Sequence, residues 1–182
     1  MDENALIERV TGKEQIYKGH ILDVQKWTVT LPNGGTAYRE VDLHRGAVAV
    51  VAVDSEKNVY LVRQYRVAVG KLLDEIPAGK LDYIGEDRLS AAQRELKEET
   101  GFTAGKWTKL TDIYTTPGFT NELITIYLAE DLTGGDTDFD EDEFLDLIKL
   151  PFAEAVKNAA CGVYEDSKTI AGLLIAGARI ER

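Results

Sequence analysis

Glu95, Glu98 and Glu99 stand at positions i, i+3 and i+4 of a segment whose other residues favour a helix. Asp87 or Ser90 offers an N-terminal cap, Ala91, Ala92 and Leu96 suit the interior, and Gly101 is placed to end it. Leu89, Ala92 and Leu96 share one apolar stripe, and the three carboxylates crowd the face beside it. Like charges at this spacing destabilise an isolated helix by roughly 0.2–0.5 kcal/mol per pair, so three together invite a cation. Carboxylate oxygens are hard ligands, and with no Cys or His nearby they suit Mg²⁺ or Mn²⁺ rather than zinc. Taken alone, the string would serve as well for a solvated charged face, with Arg94 and Glu98 an ordinary i, i+4 pair.

The flanking residues change that reading. Glu86 is followed by seven residues, then Arg94-Glu95, Leu96, Glu98-Glu99, Gly101 and Phe102. This resembles the Nudix box: Gly, five residues, Glu, seven residues, then Arg-Glu-hydrophobic-any-Glu-Glu-any-Gly-hydrophobic. Six residues rather than five separate Gly79 from Glu86, so this loop is one residue longer. The resemblance implies Mg²⁺-dependent hydrolysis of a diphosphate, with Mn²⁺ as the other candidate. It implies that Glu95, Glu98 and Glu99 hold the metals, Glu98 counting also as catalytic. Glu86 would support them, Arg94 would orient the carboxylates, and the Ala78 carbonyl would join the metal shell.

Pro117 lies sixteen residues beyond Gly101, in Tyr114-Thr115-Thr116-Pro117-Gly118-Phe119. A proline there resembles the marker of the ADP-ribose pyrophosphatase subgroup, although Pro-Gly is also a plain turn. Arg39-Glu40, Arg63-Gln64-Tyr65-Arg66 and Glu75-Ile76-Pro77-Ala78-Gly79-Lys80-Leu81 resemble the same subgroup. That resemblance implies hydrolysis of ADP-ribose to AMP and ribose 5-phosphate. Glu40 would bond the adenine, Arg39 or Tyr38 would lie beside the ring, and Arg66 would contact the diphosphate. Pro117 and Gly118 would belong to the substrate site. The run Asp136–Asp146 fails as an EF-hand, because Glu141 occupies the Gly position and Leu147 the twelfth. It is either a solvated acidic loop or, as the resemblance implies, the carrier of a general base, Glu143 or Glu141. A homodimer exchanging its N-terminal sheet is also implied.

Composition sets outer bounds. With 182 residues and 44% hydrophobic content, the chain can bury one sizeable core. A net charge of −11 disfavours nucleic acid or an anionic membrane as partner, but bound metals can still admit a small anionic nucleotide sugar. Cys161 stands alone, so no intrachain disulfide forms; burial as a packing residue is expected. No signal peptide and no stretch of about 20 apolar residues is visible, which points to the cytoplasm. His20 and His44 lie far from the box and take no catalytic role.

These residues need a frame. Strands are expected within 15–31, then a hairpin at Pro32-Asn33-Gly34-Gly35 and a return over Thr36–His44. Ala47–Val53, apolar throughout, reads as a buried central strand, with Val59–Arg66 its partner. Strands follow at Leu73–Ile76, Lys106–Thr116, Leu123–Asp131 and Phe144–Leu150, and helices at Pro151–Ala160 and Glu165–Arg182. Ile170, Leu173, Leu174 and Ala178 are expected to form the last helix's buried stripe. The expected fold is α/β: a Nudix-type α/β/α sandwich with a mixed sheet, plus a small N-terminal antiparallel sheet. Residues 1–44 would form the N-terminal β region and 45–182 the catalytic domain. Rival readings are another nucleoside diphosphate sugar or a dinucleotide as substrate, or a non-catalytic nucleotide-sensing module.

Overall fold

The computed structural model describes residues 3–134 and 145–180. It divides into two compact units, Met1–Arg45 with Tyr114–Leu123, and Gly46–Ile113 with Ile124–Arg182.

In the first unit a 3₁₀ turn, Glu3–Leu6, leads into β1 (Arg9–Lys18), β2 (Asp23–Thr30) and β3 (Thr36–Asp42). They form an antiparallel meander in that order. The hairpin lies at Asn33-Gly34-Gly35, where Gly34 takes φ +85° and Asn33 Oδ1 accepts the Gly35 N–H at 2.9 Å. β1 begins at Arg9, six residues before the expected strand region. Nearly all of it is exposed, so the ladder to β2 rather than buried alternation holds it, and no periodicity marked its start. Tyr114–Leu123 is pinned to the end of β3. Asp42 N–H donates to Phe119 O, and the Asn121 side chain accepts the His44 N–H at 2.6 Å.

The second unit is built on β4 (Ala47–Val53), every residue of which is buried. Side chains alternate across a strand, so Ala47, Ala49, Val51 and Val53 enter one core and Val48, Val50 and Ala52 the other. That double burial explains the unbroken apolar run. Around β4 stand β5 (Asn58–Arg66), β6 (Lys71–Glu75), β7 (Ala78–Lys80), β8 (Thr103–Tyr114), β9 (Leu123–Thr133) and β10 (Asp146–Pro151). The order is β10-β5-β4-β9-β8, with β6 on β5 and β7 on β4. The β4–β9 pair is parallel, whereas β4–β5, β4–β7, β5–β6 and β5–β10 are antiparallel, making the sheet mixed. Helix α1 (Arg88–Thr100) covers one face through Ala91, Ala92 and Leu96. Helices α2 (Phe152–Ala160) and α3 (Ser167–Ile180) cover the other through Phe152, Ala155, Ala159, Leu173 and Ala176. The α/β/α sandwich with a mixed sheet and a separate small antiparallel sheet is thus the fold. Among the described residues no helix is long and apolar enough to cross a membrane.

Two packing expectations are corrected. Cys161 is exposed, at the C-terminal cap of α2. On α3, Leu174 is 38% exposed and Ala178 is exposed too; the buried face is Thr169, Gly172, Leu173, Ala176 and Gly177, with Ile170 half-buried. Hydrophobicity misleads there because α3 approaches the sheet at Gly172 and α2 at Gly177. A Cβ on Gly172 would stand 2.9 Å from Ile76 Cδ1 and 3.1 Å from Val51 Cγ2. Both neighbours are themselves fully buried, so they have nowhere to go.

Gly172→Ala therefore sets a helix-propensity gain of about 1 kcal/mol against an overpacking cost of about 1–3 kcal/mol. The expected result in urea denaturation is a net loss of about 1–2 kcal/mol. A more stable variant would show that the α3–sheet contact is looser than described.

Candidate active site

Helix α1 starts where Asp87, in extended conformation, accepts the Ser90 N–H and hydroxyl on Oδ2, both at 2.8 Å. Of the two candidate caps, Asp87 is the one used. The two donated bonds hold its carboxyl below the usual range, the Ser90 N–H chief among them. At the other end Gly101 takes φ +72° and returns its N–H to Lys97 O, a left-handed stop that glycine adopts at no steric cost.

Anchored this way, α1 turns its acidic face to β7. Glu99 is 4% exposed, and its Oε2 accepts the Ala78 N–H at 2.9 Å. Glu95 is 9% exposed and lies directly over Gly79, where any Cβ would fall 2.0–2.2 Å from its carboxylate. Only glycine permits that approach. The flanking contacts Val50 N–H to Pro77 O and Leu81 N–H to Gly46 O set the β4–β7 alternation. They leave Ala78 in a pair whose backbone groups point away from β4, so its carbonyl faces the same way as the N–H given to Glu99.

Arg94 gathers the remaining acids. Its Nη1 donates to Glu95 at 2.8 Å and to Glu98 at 3.1 Å; Glu86 and Asp82 lie 3.6 Å from Nη2 and Nε. Partial burial alone would lower its pKa, but Glu95, Asp82 and Glu98 outweigh that and hold it above its ordinary value. The longer loop is absorbed in a turn, with Glu86 N–H on Tyr83 O and Gly85 at its third position with φ +91°. Glu86 then accepts the Asp82 N–H at 2.7 Å and still reaches Arg94. Among the described residues no three acidic side chains already surround one point as ligands do. Their chemistry nevertheless fits a hard divalent ion. Asp82, Glu86, Glu95, Glu98 and Glu99 bring five carboxylates to this seam, and Arg94 supplies one positive charge among them.

Arg66, at the end of β5, gives Nε and Nη2 to the two oxygens of Glu75, each at 2.7 Å. Glu75 is 1% exposed and is also held by Lys168, itself 8% exposed. Burial pushes the Glu75 carboxyl up, but the Arg66 fork and Lys168 outweigh it and keep it below its ordinary value. The Arg66 guanidinium is correspondingly raised, chiefly by the bonds to Glu75. Sequence reasoning gave neither Glu75 nor Lys168 a role. Glu75 pairs with Val62 on β5 and Lys168 stands in the first turn of α3, a meeting that only the fold reveals.

In the first unit Arg39 forks onto Glu8 and donates Nη1 to Tyr38 O at 2.9 Å. Glu40 is exposed beside it on β3, opposite Lys26. Pro117 and Gly118 are exposed in the segment pinned to that same strand. Asn121, which fixes that segment, was not singled out by the sequence. Glu141 and Glu143 lie outside the described residues.

Similarities to known proteins extend over nearly the whole chain. The NUDIX domain family profile matches residues 43–172. An ADP-ribose pyrophosphatase of Bacillus subtilis (strain 168) is 42% identical over 167 residues, 91% of this chain and 90% of that protein. A methanol dehydrogenase activator of Bacillus methanolicus is also 42% identical, over 165 residues, 90% of this chain and 89% of that one. A crystal structure of an ADP compounds hydrolase superposes with TM-score 0.83 at 23% identity, covering 96% of this chain and 94% of the other, and shares the fold. With the family profile spanning most of its length and whole-length relatives at such identity, the chain belongs to the Nudix family.

Proposed function

We propose that this diphosphate hydrolase acts on ADP-ribose, adding water across the diphosphate to give AMP and ribose 5-phosphate. The observation that carries the reading is the seating of Glu95 on Gly79 beside the Glu99–Ala78 bond, which commits a buried helix face to carboxylates rather than to packing. The similarity to the pyrophosphatase of that name supports the choice of substrate. Glu95, Glu98, Glu99 and the Ala78 carbonyl would hold Mg²⁺, or Mn²⁺, with Glu86 behind them. When bound, such ions neutralise phosphate oxygens and acidify water. Arg94 orients the carboxylates, Arg66 receives the diphosphate, and Glu143, or else Glu141, takes the proton from the attacking water. Glu40 and Arg39 would meet the adenine and its ring, with Pro117 and Gly118 shaping the same pocket. The working form would be a cytoplasmic homodimer exchanging residues 1–44, the remainder being the catalytic domain.

The decisive assay offers purified protein ADP-ribose, other ADP-sugars, GDP-mannose and a dinucleotide, with Mg²⁺ and with EDTA. ADP-ribose should be turned over best, and EDTA should abolish the reaction. Binding without turnover would favour a sensing module, and a preferred GDP-mannose would move the substrate. Glu98→Gln and Glu99→Gln retain helix propensity but remove a charge, so turnover should fall about 100-fold or more in a folded protein. Near-normal rates at saturating Mg²⁺ would remove these residues from the metal site.

The dimer is open to light scattering, which should read twice the chain mass of 20.1 kDa. A fully active monomer excludes sheet exchange.

For the base, Glu143→Gln should lower kcat by about 10²–10⁴ with substrate affinity kept. Comparison with Glu141→Gln and Asp138→Asn assigns the residue. If all three match the unaltered protein, the base lies elsewhere.

A further inference from the structure

Glu75 is a buried, charged residue for which the proposed chemistry has no use. Removing a carboxylate from water is costly unless donors surround it, and a structural role would be met more cheaply by an apolar residue. Here two cations are committed to it, Arg66 from β5 and Lys168 from the first turn of α3. Lys168 is held in turn by Asp166 at 3.1 Å, while Asp166 caps α3 by accepting the Thr169 N–H at 2.9 Å. Thr169 Oγ1 accepts the N–H of Ile76, the residue next to Glu75, at 2.9 Å. Glu75 is therefore fixed from its backbone side and its side-chain side together.

The geometry of the fork matters more than its strength. Glu75 takes the side edge of the guanidinium, Nε with one Nη2 hydrogen. The end edge, Nη1 with the other Nη2 hydrogen, makes no protein hydrogen bond among the described residues, and the Arg66 side chain is 42% exposed. A guanidinium gripped on one edge and open on the other presents a planar fork to a second anion without the cost of ordering a long side chain at binding. Lys168 shares Glu75 with Arg66, and with Asp166 the four formal charges cancel, so what Arg66 presents is a fixed donor edge rather than a surplus charge.

We propose that Glu75 is a positioning residue for substrate: with Lys168 it locks Arg66 so that the open guanidinium edge receives a phosphoryl group of the diphosphate. This rests on the reading that Arg66 meets the diphosphate. Glu75 itself touches no substrate.

The experiment is a double-mutant cycle with Glu75→Gln and Arg66→Lys, in ADP-ribose turnover at saturating Mg²⁺. Arg66→Lys keeps a charge but loses the fork. It should raise KM about 10-fold to 100-fold, the range for bonds to a charged group, and leave kcat within a few-fold. Glu75→Gln should raise KM similarly on its own and add almost nothing in the Arg66→Lys background, because both changes remove one device. A merely structural Glu75 would lower the thermal midpoint while its KM effect multiplied with that of Arg66→Lys, and that outcome overturns the proposal. Should Glu75→Gln fail to fold, Glu75→Asp keeps the charge but is too short for the fork, and the same non-additivity is required of it. If Arg66→Lys alone leaves KM unchanged, the proposal falls whatever Glu75 does. An unaltered protein that turns over no nucleoside diphosphate would instead sink the functional reading, a result the cycle cannot imitate.

Discussion

Carboxylates cannot be buried on a helix unless each is handed a donor or a cation, and that constraint organises the second unit. Glu99 meets it with a backbone N–H from β7, and Glu95 meets it with Arg94. The first solution demands that β7 run within touching distance of α1, where Glu95 lies over it. Gly79 makes this possible by lacking a side chain at the point of closest approach. β7 in turn is fixed by its ladder to β4, and β4 by burial on both faces. The acidic face is thus placed by an apolar strand that contributes no chemistry.

The same strand explains why helices on both faces are needed. A β4 with polar alternation would tolerate solvent on one side. With seven buried residues it requires α1 against Val48, Val50 and Ala52, and α2 with α3 against Ala47, Ala49, Val51 and Val53. The close approach of α3 through Gly172 brings Thr169 to Ile76 and Lys168 to Glu75. Core packing on the far face of the sheet therefore reaches Arg66 through two residues of one helical turn.

What the sequence disclosed divides along physical lines. β4 and the span of α1 could be read because an unbroken apolar run and a capped, glycine-ended amphipathic segment each admit few alternatives. The start of β1 could not, since an exposed strand held by ladder bonds leaves no periodic trace. The α3 stripe misled because a hydrophobicity pattern rewards Leu174, while the sheet selects Gly172 for its absence of volume. Glu86, one residue further along its loop than the box prescribes, reaches Arg94 because the turn at Gly85 takes up the extra length. Glu75 and Lys168 were hidden for a different reason. They are 93 residues apart, and only the fold makes a pair of two charges that separately read as surface.

Arg94 and Arg66, both in the second unit, sit in opposite electrostatic settings. Arg94 lies amid Asp82, Glu86, Glu95 and Glu98, so its surroundings remain in deficit of positive charge and call for further cations. Arg66 belongs to a group of four, with Glu75, Lys168 and Asp166, whose formal charges cancel. On the proposed reading, one setting would draw metal and the other would offer a guanidinium edge to phosphate without itself attracting metal. A chain of net charge −11 repels a diphosphate at long range, so binding has to be won by short-range contacts of fixed geometry. A division of labour between these two arginines would be a way to win it: acid in excess where a cation would be held, acid in balance where an anion would be met.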